Sequence, residues 1–246
     1  MFAALKSEFR KLYTIRSTYI LTFVSILLAA VFAFYVEGIK GHDGVIQPNT
    51  LQNAMLTAGA FLPIFGGAIV ATLLATHEYR YTTIMYTLTS LNRRGKVLVA
   101  KIIALTGHVL ILTVLGVAIA VGSMYLGLTV KHLNLIPQQV AWFSVIWRSL
   151  FYVWAYSMAG LLLGLLTRQV VGAIVVILLL PGTIEQLIGL MLKENAKYLP
   201  FTDLTRVVDT NPITSPSYAG SAGLFCAYLA ITVVITWVLF LRRDAN

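Results

Sequence analysis

Charge is scarce in this sequence. Only 11% of its 246 residues are Asp, Glu, Lys or Arg, against about 25% in an average soluble domain. With 59% hydrophobic residues and a mean hydropathy of +0.85, the chain cannot cover itself in water. That excludes an ordinary soluble globule and points to a membrane protein. Acids are scarcer still, 9 against 18 bases, which leaves a net charge of +9. Nucleic-acid binding would need those bases on a folded soluble surface. Here they sit in short loops and tails between apolar runs, a pattern set by membrane topology. Cysteine is almost absent. The single Cys226 lies in an apolar run, so no disulfide forms within the chain, and it reads as a small core residue.

Catalytic signatures are missing as well. His77-Glu78 begins a His-Glu-Tyr-Arg-Tyr run, but a zinc protease helix needs a second histidine one turn on. His42, His108 and His132 are not spaced as a ligand cluster with it. No Gly-x-x-x-x-Gly-Lys-Ser/Thr loop is present, which excludes ATP hydrolysis by that route, and no Gly-x-Ser-x-Gly elbow presents a nucleophile. The chain therefore reads as a non-enzyme with no catalytic or metal residue assigned. Internal repeats and low-complexity segments are also absent.

Long apolar runs are what the sequence has instead. A spanning helix needs roughly 20 mainly apolar residues, and six segments qualify, at about 18–36, 55–75, 97–128, 149–166, 170–191 and 219–241. The basic N-terminus before the first run imitates a signal peptide. That run is too long for an ordinary signal core and further spans follow, so a retained span is expected. Residues 1–16 place Phe2, Leu5, Phe9, Leu12 and Ile15 at helical spacing, with Lys6, Arg10, Lys11 and Arg16 filling much of the rest. That pattern predicts a basic amphipathic helix at the inner membrane surface. The predicted fold is an all-α polytopic membrane protein, one domain over 1–246, with six transmembrane helices after this interfacial helix.

Loop charge orients the chain. With the N-terminus inside, the inner regions hold twelve basic residues and the outer regions six, Arg148 included. The positive-inside rule then puts both termini in the cytoplasm. The outer side takes Glu37, Asp43, Glu194, Asp203 and Asp209, and an aromatic belt of Trp142, Phe143, Trp147, Phe151, Tyr152 and Trp154. The outer segment 193–218, with Pro200, Pro212 and Pro216, exceeds a simple connector and reads as a small cap or a re-entrant piece.

Charges at membrane depth are costly and often functional. Glu185 follows Pro181-Gly182 in the fifth span, and two readings stay open. It lines a pathway beside a helix broken at Pro181, or it is a hydrogen-bonded carboxylate near the outer interface. Lys101 and Arg148 lie near span ends and read as snorkelling. His108 reads as a satisfied polar residue between helices.

Residues 76–96, THEYRYTTIMYTLTSLNRRGK, form the most polar long stretch between two apolar runs. Glu78-Tyr79-Arg80, then Thr83-Ile84, then Arg93-Arg94 and Lys101 opening the third span, resemble the first cytoplasmic loop of type-2 ABC transporter permeases. Thr82 departs from the Gly common there. Leu5-Lys6-Ser7-Glu8-Phe9-Arg10-Lys11-Leu12 resembles the connecting helix of that family, and the turn at Thr167-Arg168-Gln169 and the run Tyr198-Leu199-Pro200 also fit. The resemblance implies a permease subunit in a prokaryotic plasma membrane, paired with a second permease as a homodimer or heterodimer. A separate ATPase subunit would carry ATP and Mg, with no cofactor in this chain. It further implies ATPase coupling through His77, Glu78, Tyr79, Arg80, Arg93 and Arg94, and a substrate path along spans 2 and 5. Phe61, Phe65, Pro181 and Glu185 are the path residues expected there. Small permeases of this kind export antibiotics, peptides or lipids, so multidrug or antibiotic resistance is an expected role. In physical terms, Glu78 is expected to accept hydrogen bonds from a basic residue of a soluble partner, while the arginines pair with its acids. Ile84, Leu88 and Leu91 recur on one helical face, suited to the membrane or the partner. The alternatives are a non-transporting membrane sensor or immunity protein, and an intramembrane enzyme.

Overall fold

In hydrocarbon every backbone amide must find its partner inside its own segment or in a closed barrel. These apolar runs lack strand-period alternation, so helix is the available solution. A computed structural model of the protein describes residues 2–40, 49–80, 94–133, 140–210 and 217–242, and among the described residues there is no strand. The helix Phe2–Thr14 comes first. Six helices long and apolar enough to cross a membrane follow: span 1 Arg16–Lys40, span 2 Thr50–Tyr79, span 3 Gly95–Val130, span 4 Trp142–Thr167, span 5 Val170–Tyr198 and span 6 Tyr218–Leu239. The six-span, all-helical architecture agrees with the sequence expectation.

Two details differ from the sequence reading. Span 4 starts at Trp142 rather than at 149, because Arg148 does not end the helix but sits inside it. Span 5 is not broken at Pro181. The chain widens into a π-helical stretch, Leu180–Ile184, and resumes as the α-helix Glu185–Leu192. A π turn absorbs the missing proline N–H without ending the helix. In span 2 the π-helical Ala54–Phe61 ends two residues before Pro63, which opens the α-helix Pro63–Arg80.

The core lies between spans 2 and 4. About 72% and 67% of their apolar windows are buried, against 17%, 17% and 22% for spans 1, 5 and 6. Small residues permit this closeness. A Cβ on Gly160 would sit 2.8 Å from the Ala68 carbonyl oxygen, and one on Gly164 would sit 2.7 Å from Ala75 Cβ. Thr72 Oγ1 joins the seam by donating to the Ala68 and Gly160 carbonyls at 2.9 and 3.2 Å.

The N-terminal helix uses its apolar stripe on the protein. Ala4 and Leu12 are 2% exposed, and Leu5 and Phe9 pack against the core. Phe9 lies over Gly107 of span 3. Lys6, Arg10, Tyr13 and Arg16 remain exposed.

The opposite end carries a small helical cap, Pro200–Arg206. Phe201 locks it down, with ring centroids 5.2 Å from Tyr156 of span 4 and 5.7 Å from Phe225 of span 6. Arg148 is 2% exposed, so it does not snorkel. Its guanidinium donates to the carbonyls of Val207 and Asp209 and lies 3.7 Å from the Tyr218 ring centroid. Arg148 thus ties span 4 to the chain that leaves the cap. Asp203 of the cap helix is fully buried. Burial pushes its carboxyl above the ordinary value, and Ser221 and Arg206 pull it partly back.

Candidate functional site

The polar end of the bundle is built from four charges on three elements. Glu8 and Lys11 are one helical turn apart on the N-terminal helix, Glu78 ends span 2, and Lys101 lies two turns into the helix of span 3. They close into a ring of alternating sign. Lys11 Nζ lies 2.6 Å from Glu8 Oε1 and 2.5 Å from Glu78 Oε1. Lys101 Nζ lies 3.0 Å from Glu8 Oε2 and 2.9 Å from Glu78 Oε2. Each carboxylate therefore gives one oxygen to each lysine. Lys101 also donates to the Leu74 carbonyl at 3.1 Å, so its ammonium is occupied on every side.

Burial makes this ring consequential. Glu8, Glu78 and Lys101 are 2%, 3% and 1% exposed. Exposed ion pairs contribute about 0–1 kcal/mol, whereas removing one partner of a buried pair costs about 3–5 kcal/mol, because a bare charge is left in low dielectric. The ring sums to zero charge, and the N-terminal helix, span 2 and span 3 are fastened at one point. The expectation that Glu78 meets a basic group on a soluble partner is corrected here. Its carboxylate is engaged inside the bundle, because the N-terminal helix covers the end of span 2 and brings Lys11 to it. Lys101 likewise does not snorkel.

The neighbours of Glu78 face outward more. His77 and Tyr79 are half-buried. The Tyr79 ring lies 5.1 Å from the Arg168 guanidinium carbon, a cation–π contact between span 2 and the turn joining spans 4 and 5. Arg168 ends span 4 with φ at 56°, and its N–H returns to the Gly164 carbonyl. With Gln169, Val170 and Val171, these two residues line an open hollow of about 510 Å³. Arg80 ends the span 2 helix and Arg94 begins the span 3 helix. Arg93, with Ile84, Leu88 and Leu91, lies outside the described residues.

The residues expected along a substrate path separate into two groups. Phe61 and Phe65 stand on span 2, edge to face at 5.8 Å, and are 37% and 36% exposed on a helix that is otherwise largely buried. Phe61 also stacks with Tyr152 of span 4 at 6.4 Å. Pro181 is half-buried in its π turn. Glu185 is 3% exposed. Its carboxylate accepts from Phe201 N at 3.0 Å, Thr202 N at 2.7 Å and Thr202 Oγ1 at 2.9 Å. It caps the start of the Pro200–Arg206 helix from outside that helix, where free amides and the helix dipole favour an anion. Of the two readings of Glu185, the structural one is what the geometry displays.

Glu8, Lys11 and Lys101 were not singled out as site residues from sequence. The available signal was one acid and one base at the facing ends of two consecutive apolar spans, with an acid–base pair one turn apart in the preceding helix. Among the described residues, no three His, Cys, Asp or Glu side chains converge as metal ligands.

Among the described residues, six helices long and apolar enough to cross a membrane define a multi-pass membrane protein. Residues 4–189 match the family model described as ABC-2 family transporter protein, and the chain belongs to that family. It is accordingly the permease subunit of an ABC transporter. No curated protein matches the chain.

Proposed function

We propose that this permease exports an amphipathic or hydrophobic compound, driven by ATP hydrolysed on a separate subunit that docks at the polar end of the bundle. Both termini and segment 76–96 are then cytoplasmic, as loop charge predicts. His77, Tyr79 and Arg80, with Arg93 and Arg94, meet the ATPase. Glu78 acts behind them as an anchor. The observation that carries the reading is the closed ring of Glu8, Lys11, Glu78 and Lys101 at the root of that segment. A push on 76–96 reaches a point where three helices are joined, so span 2 moves as a body with the N-terminal helix and span 3. Span 2 also carries Phe61 and Phe65, whose uncovered rings suit an apolar path completed by a second permease.

Reconstituted vesicles holding the permease and its ATPase test this. A fluorescent amphipathic reporter is expected to move across the bilayer with ATP and to stop with vanadate. Movement that ignores ATP, or none while ATP is hydrolysed, overturns the export reading and favours a membrane sensor.

A further inference from the structure

A crevice of about 280 Å³ runs between the first half of span 1 and the middle of span 3, roofed by the N-terminal helix. Leu12, Tyr13, Tyr19, Phe23, Ile26 and His108 are among its walls. Its surface is mostly apolar, with one polar pair inside: His108 Nε2 lies 3.4 Å from Thr22 Oγ1. The mouth is braced, because the Tyr19 hydroxyl donates to the Tyr13 carbonyl at 2.5 Å.

Charge and length point to one occupant. Arg16, Tyr19, Phe23 and Ile26 recur at i, i+3, i+7 and i+10 of one helix, so Arg16 stands above the open face of the crevice. Arg10 and Arg16 are exposed, and among the described residues no ion pair engages either. From Arg16 to Ile26 the helix rises about 15 Å. That is half of a hydrocarbon core about 30 Å thick, the depth of one leaflet.

We infer that this crevice binds one anionic phospholipid from the leaflet nearest the N-terminal helix. Its phosphate pairs with Arg16, and one acyl chain lies along Tyr19, Phe23 and Ile26. A zwitterionic lipid brings the same chain but carries its own cation beside the phosphate, which competes with Arg16. The basic rim therefore selects for net negative charge. The bound lipid lies against Leu12 and Tyr13, the two residues that follow Lys11 on the N-terminal helix. Lipid binding in this crevice requires neither ATP nor cargo and is independent of export.

Native mass spectrometry of the full-length, delipidated protein tests it, with phosphatidylglycerol and phosphatidylcholine of identical chains as probes. Phosphatidylglycerol is expected to remain as a one-to-one adduct about fivefold more than phosphatidylcholine, the preference one surface arginine supplies. Arg16→Gln erases that preference, and Thr22→Phe, which fills the crevice, removes both adducts. Lys131→Gln, an exposed cation at the opposite end of span 3, leaves the preference intact. If Thr22→Phe does not fold, the exposed Arg16→Gln still decides the matter. Equal retention of the two lipids means the crevice takes any apolar chain and overturns the inference. A preference that survives Arg16→Gln overturns it as well.

Discussion

Lys101→Met is the sharpest perturbation of the ion ring. Methionine keeps an unbranched apolar stem and removes the charge that balances two buried carboxylates. Each Lys101–carboxylate contact is close to 3 Å, worth about 5 kcal/mol of attraction at an effective dielectric near 20. Desolvation offsets much of that, and the net loss expected is about 3–5 kcal/mol. The unfolding midpoint in detergent should fall by on the order of 10 °C. Glu78→Gln alone leaves Lys11 and Lys101 sharing Glu8 and should also destabilise. The double variant Glu78→Gln with Lys101→Met leaves the neutral Glu8–Lys11 pair, so it should lose less than the two single losses summed, by about 1–3 kcal/mol. Thermal melts of the four proteins, read by intrinsic tryptophan fluorescence, complete the cycle. Additive losses, or a Lys101→Met protein that melts with the wild type, would show that the four charges do not act as a unit.

Glu185→Ala removes three hydrogen bonds from the start of the cap helix. It is expected to cost about 2 kcal/mol and to speed amide exchange at residues 200–206, measured by hydrogen–deuterium exchange. Gly160→Leu drives a side chain into the Ala68 carbonyl, 2.8 Å from where its Cβ would sit. A loss of about 3 kcal/mol should appear as a lower melting midpoint, while the same change at Gly182, which has open space around it, is expected to be mild. Asp203→Asn removes a charge that burial disfavours. The folded state binds the Asp203 proton more tightly than the unfolded chain, so this site's contribution is full below the ordinary carboxylate value and is lost as pH rises above about 3.9. Asp203→Asn should therefore melt higher than wild type at pH 8, with the difference shrinking at pH 4.

The spans were legible in the sequence because their signal is composition summed over about 20 residues, which no single contact overrides. Their ends were less legible where one charge looked like a boundary. Arg148 appeared to mark the start of span 4, yet it is buried against carbonyls contributed 59 and 61 residues away. Pro181 looked like a break, since proline's local effect is readable and a compensating π turn is not. Glu185 was narrowed to two readings that only the position of the cap helix could separate. At the polar end, Glu78 was found by its place in a motif, but its partners Lys11 and Lys101 lie 67 and 23 residues away in sequence. Pairing at that range depends on how the N-terminal helix crosses spans 2 and 3, a tertiary fact without local periodicity.

The central claim is that segment 76–96 receives the ATPase and that the ion ring behind it passes the motion on. Photo-crosslinking in the assembled transporter tests it most directly, with p-benzoylphenylalanine placed at Leu88 or, for comparison, at Phe143 on the opposite end of the bundle. The account predicts a crosslink to the ATPase subunit from position 88 and none from position 143. A crosslink from 143, or from neither site while the two subunits co-purify, would contradict it.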